Sequence, residues 1–510
     1  MMDVRCSAYE YFARAVAGRK SCLSFFGRSF DGEEVVRRIG AMATFLSERF
    51  GIGKGDVVAI HLPNVPECIF TIYAVNKLGA VAFVTHPLLP EQALSDEMER
   101  AGAKCLVSAL TSKYTGSVPQ VVCDCVSFLP PLKRAFARMR LSACRKGEVR
   151  YPYGELSDGK IEGVGAPEDV AFYLPSGGTT GEPKIIRITN EAFNQNAEAT
   201  LSLAKIDLNE RSVLLALPFF HGFGLSSSLH GTVSGGARGV IVPYFDVKQI
   251  ARYVKKGEVD IILGVPNMFR KLLREPMFRK GIGNMRLAFS GGDTLPEKVK
   301  KEYDDLAMEA GSDSRLYQGY GLAETVSVCI ANSFGEDKIG TIGKPVNAEV
   351  SILGEDGELP LGEIGEIAVR TPCMMKGYLD QDDSAEPLLK TGDLGFIDKE
   401  GYVHFSGRKK RIIVIGGMNV YPLEIERAAM ELPFVVEAAA VEYRVDDKPL
   451  IALFVSDNSE LSEEDKRRAI LDHLASRVIR YALPTRVIFL SALPRTPIGK
   501  IDVSALARGI

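Results

Sequence analysis

Short, mostly apolar runs recur along this 510-residue chain, at 57–62, 80–84, 212–217, 239–242, 260–265 and 286–289. Between them lie stretches with helical spacing, such as 191–205, which Asn190 is placed to cap. A strand buried on both faces reads as a continuous apolar run, whereas a half-exposed one alternates. The pattern therefore predicts α/β architecture: doubly wound sheets with helices on both faces. From about Gly335 the texture changes to short strands and Gly, Asp and Glu turns, as in 357–370 and 392–408, which predicts a small antiparallel β subdomain. The basic cluster Arg408-Lys409-Lys410-Arg411 follows, and then about 100 residues of mixed pattern. This predicts a large N-terminal region over 1–408 and a smaller α+β domain over 409–510. No internal repeat points to a solenoid.

Composition narrows the class. A chain of 510 residues exceeds what one hydrophobic core serves. With 46% apolar and 25% charged residues, it is neither disordered nor fibrous. Its net charge of −3 offers no electrostatic footprint for nucleic acid. The nine cysteines are scattered, and none form a Cys-x-x-Cys pair. The first residues carry acid, base and Tyr where a signal peptide has an apolar run. These features predict a reduced, cytoplasmic protein. The segment 212–237 contains no Asp, Glu, Lys or Arg and reads as buried core and loop.

The richest stretch chemically is Ser176, Gly177, Gly178, Thr179, Thr180, Gly181, Glu182, Pro183 and Lys184, set between two strand-like runs. Glycines let successive backbone N–H groups converge on an anion, hydroxyls add donors, and Lys184 adds a point charge. That is chemistry for a polyphosphate. The spacing fits neither the Walker loop nor the dinucleotide fingerprint. The stretch resembles the phosphate-binding signature of the AMP-forming acyl-adenylate family, which includes acyl-CoA synthetases, peptide-synthetase adenylation domains and luciferases. Further motifs of that family occur in order: LPFFHGFG (217–224), QGYGLAET (318–325), TGD (391–393), GRKKR (407–411), GGMNVYPLEIE (416–426) and LPRTPIGKID (493–502).

The resemblance implies a role for each matching position. Glu324 and Thr180 would hold Mg²⁺ against the nucleotide phosphates. Tyr320 and Gly321 would lie against the adenine, with Gly291, Gly292 and Asp293 along the base edge. Asp393 has two acceptor oxygens for the two ribose hydroxyls, and Arg408 would reach the same ribose. Lys500 would be a mobile lysine that bridges the carboxylate and the α-phosphate during adenylation. His221 would orient or gate between the acid and the thiol channel; its surroundings show no spacing suited to zinc. Lys410 would be the hinge of the small domain, and Gly416 and Gly417 would let the backbone lie along a pantetheine thiol. The family usually has Thr where Ala323 stands, which removes a phosphate contact that Thr325 or Thr180 would have to replace.

The implied reaction joins a carboxylic acid to AMP from ATP, and then transfers the acyl group to the thiol of CoA. A carrier-protein thiol is the alternative acceptor, and a luciferase-like oxygenase shares the first step. Ala323 motivates a reading from another class, a nucleotide-binding sensor without catalysis. The segments around 218–229 and 262–268 offer no charge, which suits a fatty or other apolar acyl tail. Positions 131–150 hold seven basic residues and one acid. Leu132, Phe136, Met139 and Ala143 recur there at helical spacing, so this segment reads as a surface helix or as a weak contact with anionic membrane.

Overall fold

The computed structural model describes residues 2–109, 114–126, 128–130, 134–135, 148–151, 161–175, 184–381, 388–415, 418–445, 448–496 and 500–510. Two large sheets form the N-terminal region. One runs in the order Gly377–Tyr378, Ile185–Thr189, Val170–Pro175, Val81–Val84, Val57–His61, Ala103–Ala109, Gln120–Cys123, Glu148–Arg150. The other runs Lys344–Pro345, Val328–Ala331, Leu316–Gly321, Leu287–Ser290, Ile261–Gly264, Ser212–Leu215, Arg238–Ile241, Leu23–Phe25, Arg28–Phe30. Their central strands pair in parallel, and antiparallel pairs occur at the edges.

The predicted strands stand within a residue or two of where the apolar runs put them. Every residue of Ser212–Leu215, Ile261–Gly264 and Leu287–Ser290 is buried, which is why their sequence does not alternate. Burying each Leu, Ile or Val there contributes roughly 1.5–3 kcal/mol. Val58 and Ile60 of one sheet and Val213 and Ile262 of the other belong to one hydrophobic core.

Two expectations need correction. The helix after residue 189 is Asn190–Ala204, capped by the Thr189 hydroxyl, which accepts from Ala192 N–H at 3.2 Å. Asn190 is spent on tertiary structure instead. Its Oδ1 accepts from Ala8 N–H and Asn76, and its Nδ2 donates to Ala166 O. The uncharged segment 212–237 is buried core as expected, but its loop spans only 216–221 before a π-helical stretch, Phe223–Gly231, that the sequence did not announce. Two of its hydroxyls are satisfied within the segment, Ser228 donating to Leu214 O and Thr232 to Ser228 O, while Ser226 donates to Asn196 and Ser227 to Ser327. Gly222 precedes it because a Cβ there would lie 1.8 Å from Val326 O.

Glu349–Leu353, Gly365–Arg370, Leu389–Ile397 and Val403–Arg408 make the antiparallel subdomain. A separate core begins at Ile413 and gathers Val420, Ile425, Leu453 and Ile470. Here Val435–Val445 pairs antiparallel with Lys448–Asp457, which pairs in parallel with Arg486–Phe489. Helices Pro422–Met430 and Glu463–Ala475 pack on this sheet. No described helix is long and apolar enough to cross a membrane.

Candidate active site

Ligands of open α/β sheets bind beyond the carboxyl ends of parallel strands. Leu287–Ser290 and Leu316–Gly321 are such strands, and they deliver Gly291, Gly292, Asp293, Tyr320 and Gly321 to one cavity. The cavity has a volume of about 1200 Å³. Gly321 is required by close approach, since a Cβ would meet Ser327 O at 1.8 Å. Gly292 has φ of +76°, the left-handed region that favours glycine.

Asp393 faces this wall from the antiparallel subdomain, in register with Arg408 across the strand pair. It is 1% exposed. Its Oδ2 accepts from the Tyr320 hydroxyl at 2.7 Å. Its Oδ1 lies 3.2 Å from Arg408 Nε, off the line of a hydrogen bond, and no described group donates to it. Burial pushes the Asp393 carboxyl up from its ordinary value, and the Arg408 charge pulls it back. Burial and the neighbouring Asp393 charge push the Tyr320 phenol well up, so it stays a donor.

Glu324 sits in the short turn Ala323–Thr325. Its Oε1 accepts from the Tyr378 hydroxyl at 2.9 Å, and its backbone oxygen accepts from Met375 N–H. Lys184 Nζ lies 4.5 Å from the centre of the Tyr378 ring. Tyr378 joins the two motifs because its strand pairs with Ile185–Thr189 at the sheet edge. Sequence reasoning missed it: a tyrosine between motifs carries no signal until the sheet register is known. Thr325 does not replace the hydroxyl absent at Ala323. It is wholly buried, accepts from Leu322 N–H, and donates to the backbone oxygens of Leu322 or Ser327.

Lys500 lines the same cavity. Burial lowers its pKa first and the Arg408 charge adds to this, while Asp293 and Asp393 pull it back up. Its backbone oxygen accepts from Thr496 N–H at 2.8 Å, and Arg495 bridges Ile501. The His221 imidazole is lowered to about 4, chiefly by burial and then by the Lys500 charge, so it is neutral near pH 7. Lys410 lies in the turn Lys409–Arg411 between two anchors. Lys409 pairs with Glu366 at 2.7 Å, and Arg411 pairs with Glu426 at 2.6 Å.

Lys184, Gly291, Gly292, Asp293, Tyr320, Gly321, Glu324, His221, Asp393, Arg408, Lys410 and Lys500 thus all border one space. Ser176, Gly177, Gly178, Thr179, Thr180, Gly181, Gly416 and Gly417, and most of 131–150, lie outside the described residues.

The family model described as AMP-binding enzyme matches residues 11–379, and its C-terminal-domain companion matches 424–500. The chain belongs to the AMP-binding enzyme family. It is an AMP-forming acid–thiol ligase. It is 28% identical to a long-chain-fatty-acid–CoA ligase of Bacillus subtilis (strain 168), over 94% of this chain and 90% of the relative. It is 29% identical to 4-coumarate-CoA ligase 2 of Narcissus pseudonarcissus, over 97% and 90%. The ATP-bound crystal structure of MatB from Rhodopseudomonas palustris superimposes with a TM-score of 0.81 at 26% identity, covering 99% of both chains.

Proposed function

We propose that this ligase activates a fatty or other apolar carboxylic acid with ATP, giving acyl-AMP and pyrophosphate, and then passes the acyl group to CoA. The observation that carries the nucleotide half is the buried Asp393 Oδ1, an acceptor with no described donor, on a residue that borders the cavity Tyr320 and Lys500 also line. A ribose hydroxyl supplies the missing donor. Lys500 then offsets the charge that develops as the acid oxygen attacks the α-phosphorus. Glu324 Oε2 has no hydrogen bond among the described residues. A carboxylate oxygen beside phosphates fits Mg²⁺, which Glu324 and Thr180 would hold and which would neutralise phosphate charge. His221, kept neutral by burial and by the nearby Lys500 charge, orients the acid.

We divide the two domains after Arg408 and assign the turn to Lys410. The anchors on either side of it belong to different units, since Glu366 lies in the antiparallel subdomain and Glu426 in the helix Pro422–Met430. An apolar acid accords with the uncharged part of the cavity wall formed by Phe223, Leu263 and Val326, and with relatives named for both fatty and aryl acids. One observation favours a nucleotide sensor: Ala323 lacks the hydroxyl, and Thr325 does not supply it. Pyrophosphate release over octanoate, palmitate, benzoate and 4-coumarate, with and without CoA, separates the readings. Release with at least one acid, and an acyl-CoA product when CoA is present, supports the ligase. Tight ATP binding with no release from any acid supports the sensor.

A further inference from the structure

We propose that Glu437 is a positioning residue that holds the small domain in the orientation used for adenylation. The proposal rests on the assignment of Lys500 to that half-reaction. Glu437 lies on the strand Val435–Val445 of the small domain. Its Oε1 accepts from Arg270 Nη2 at 2.6 Å; Arg270 belongs to the helix Pro266–Leu273 of the large domain. The same oxygen accepts from Arg495, five residues before Lys500. Arg270 also donates through Nη1 to Val436 O at 3.4 Å, and Asn267 Oδ1 accepts from its Nη2 at 2.9 Å. Lys298 adds a second link across the domains, donating to Pro433 O at 3.1 Å. The Arg270, Glu437 and Arg495 side chains are 20%, 15% and 28% exposed, sheltered enough for the charges to count.

One carboxylate therefore does two things. It keeps two guanidinium groups from repelling each other, and it clamps the base of the segment carrying Lys500, where Arg495 bridges Ile501. Rotation about Lys410 would carry Glu437 and Arg495 together and leave Arg270 behind on the large domain. The Arg270–Glu437 pair can then exist in one orientation only. An interaction made in one state and absent from the other shifts the equilibrium between them by its own free energy. The two half-reactions should therefore respond differently to its loss, whereas a merely structural ion pair would weaken both.

The test uses the full chain carrying Glu437→Gln or Arg270→Gln, with the panel acid of highest turnover. Acyl-AMP formation is followed by pyrophosphate release without CoA, and thioester formation is followed from the supplied acyl-AMP of the same acid. Acyl-AMP formation should fall about tenfold or more in either variant, as for truncation of a sheltered charge pair. Thioester formation should stay at the wild-type rate or rise, and the double variant should be no worse than the worse single one. Equal losses in both halves, additive losses, or undiminished acyl-AMP formation would overturn the proposal. Lys500→Ala in the same assays separates it from the reading beneath: if Lys500→Ala abolishes acyl-AMP formation while Glu437→Gln does not, only the latch fails. If Lys500→Ala spares acyl-AMP formation, the underlying assignment fails.

Discussion

Asp393→Asn is expected to weaken nucleotide binding without weakening the fold. In the structure Oδ2 is occupied by the Tyr320 hydroxyl, which leaves Oδ1 for a ribose hydroxyl. The asparagine amide has one oxygen, and the Tyr320 donor claims it, so an NH₂ group faces the ribose where an acceptor is needed. At least one charge-assisted hydrogen bond is lost, worth about 1.5–3 kcal/mol, or roughly 10- to 150-fold in ATP affinity. The fold responds in the opposite sense. A carboxyl raised above its unfolded value is protonated more readily in the native state, so its charge at neutral pH costs stability. The neutral amide should leave the melting temperature unchanged or higher. Calorimetric titration with ATP, 2′-deoxyATP and 3′-deoxyATP reads the effect directly. Wild type should discriminate against at least one deoxynucleotide, and the variant should lose that discrimination. The assignment is refuted if the variant binds ATP within about threefold of wild type, or discriminates as wild type does.

Lys500→Ala should lower acyl-AMP formation by on the order of 100-fold or more, the scale of one preorganised electrostatic donor, while thioester formation from supplied acyl-AMP stays near wild type; single-turnover assays of each half check this. Lys410→Pro should do the reverse, because a fixed φ holds one domain orientation. Thioester synthesis at the wild-type rate would move the hinge elsewhere. Stability should also fall in acid. Burial depresses His61 to about 4 and His230 to about 3, so the unfolded chain takes up protons first as pH drops below about 6.5. Each then costs about 3–5 kcal/mol once the pH reaches its native value, His230 the more. His230→Gln should flatten that loss in urea melts between pH 6.5 and 4, and an unaltered slope would show that another group controls it.

Much of this protein is local and therefore legible in one dimension. The apolar runs at 212–217 and 260–265 announce parallel strands because burial on both faces leaves no polar position in the pleat. The motifs holding Gly291, Tyr320, Asp393 and Lys500 are legible because each is a short contiguous run that resembles a motif of the AMP-forming family. The pairing of those motifs is another matter. Tyr378 reaches Glu324 across 54 positions, and Arg270 reaches Glu437 across 167. No spacing rule links such residues, whose proximity follows from sheet register and domain docking. Asn190 shows the same divide at smaller scale. Its side chain is as good a helix cap as Thr189, but Ala8, Asn76 and Ala166 offer it buried partners that only the folded chain assembles, and a buried amide must satisfy them. Local chemistry determined which residues carry donors and acceptors suited to a nucleotide; tertiary structure alone decided which of those residues border one cavity and which of their atoms remain unsatisfied, because desolvation is a property of the packed molecule and not of the chain.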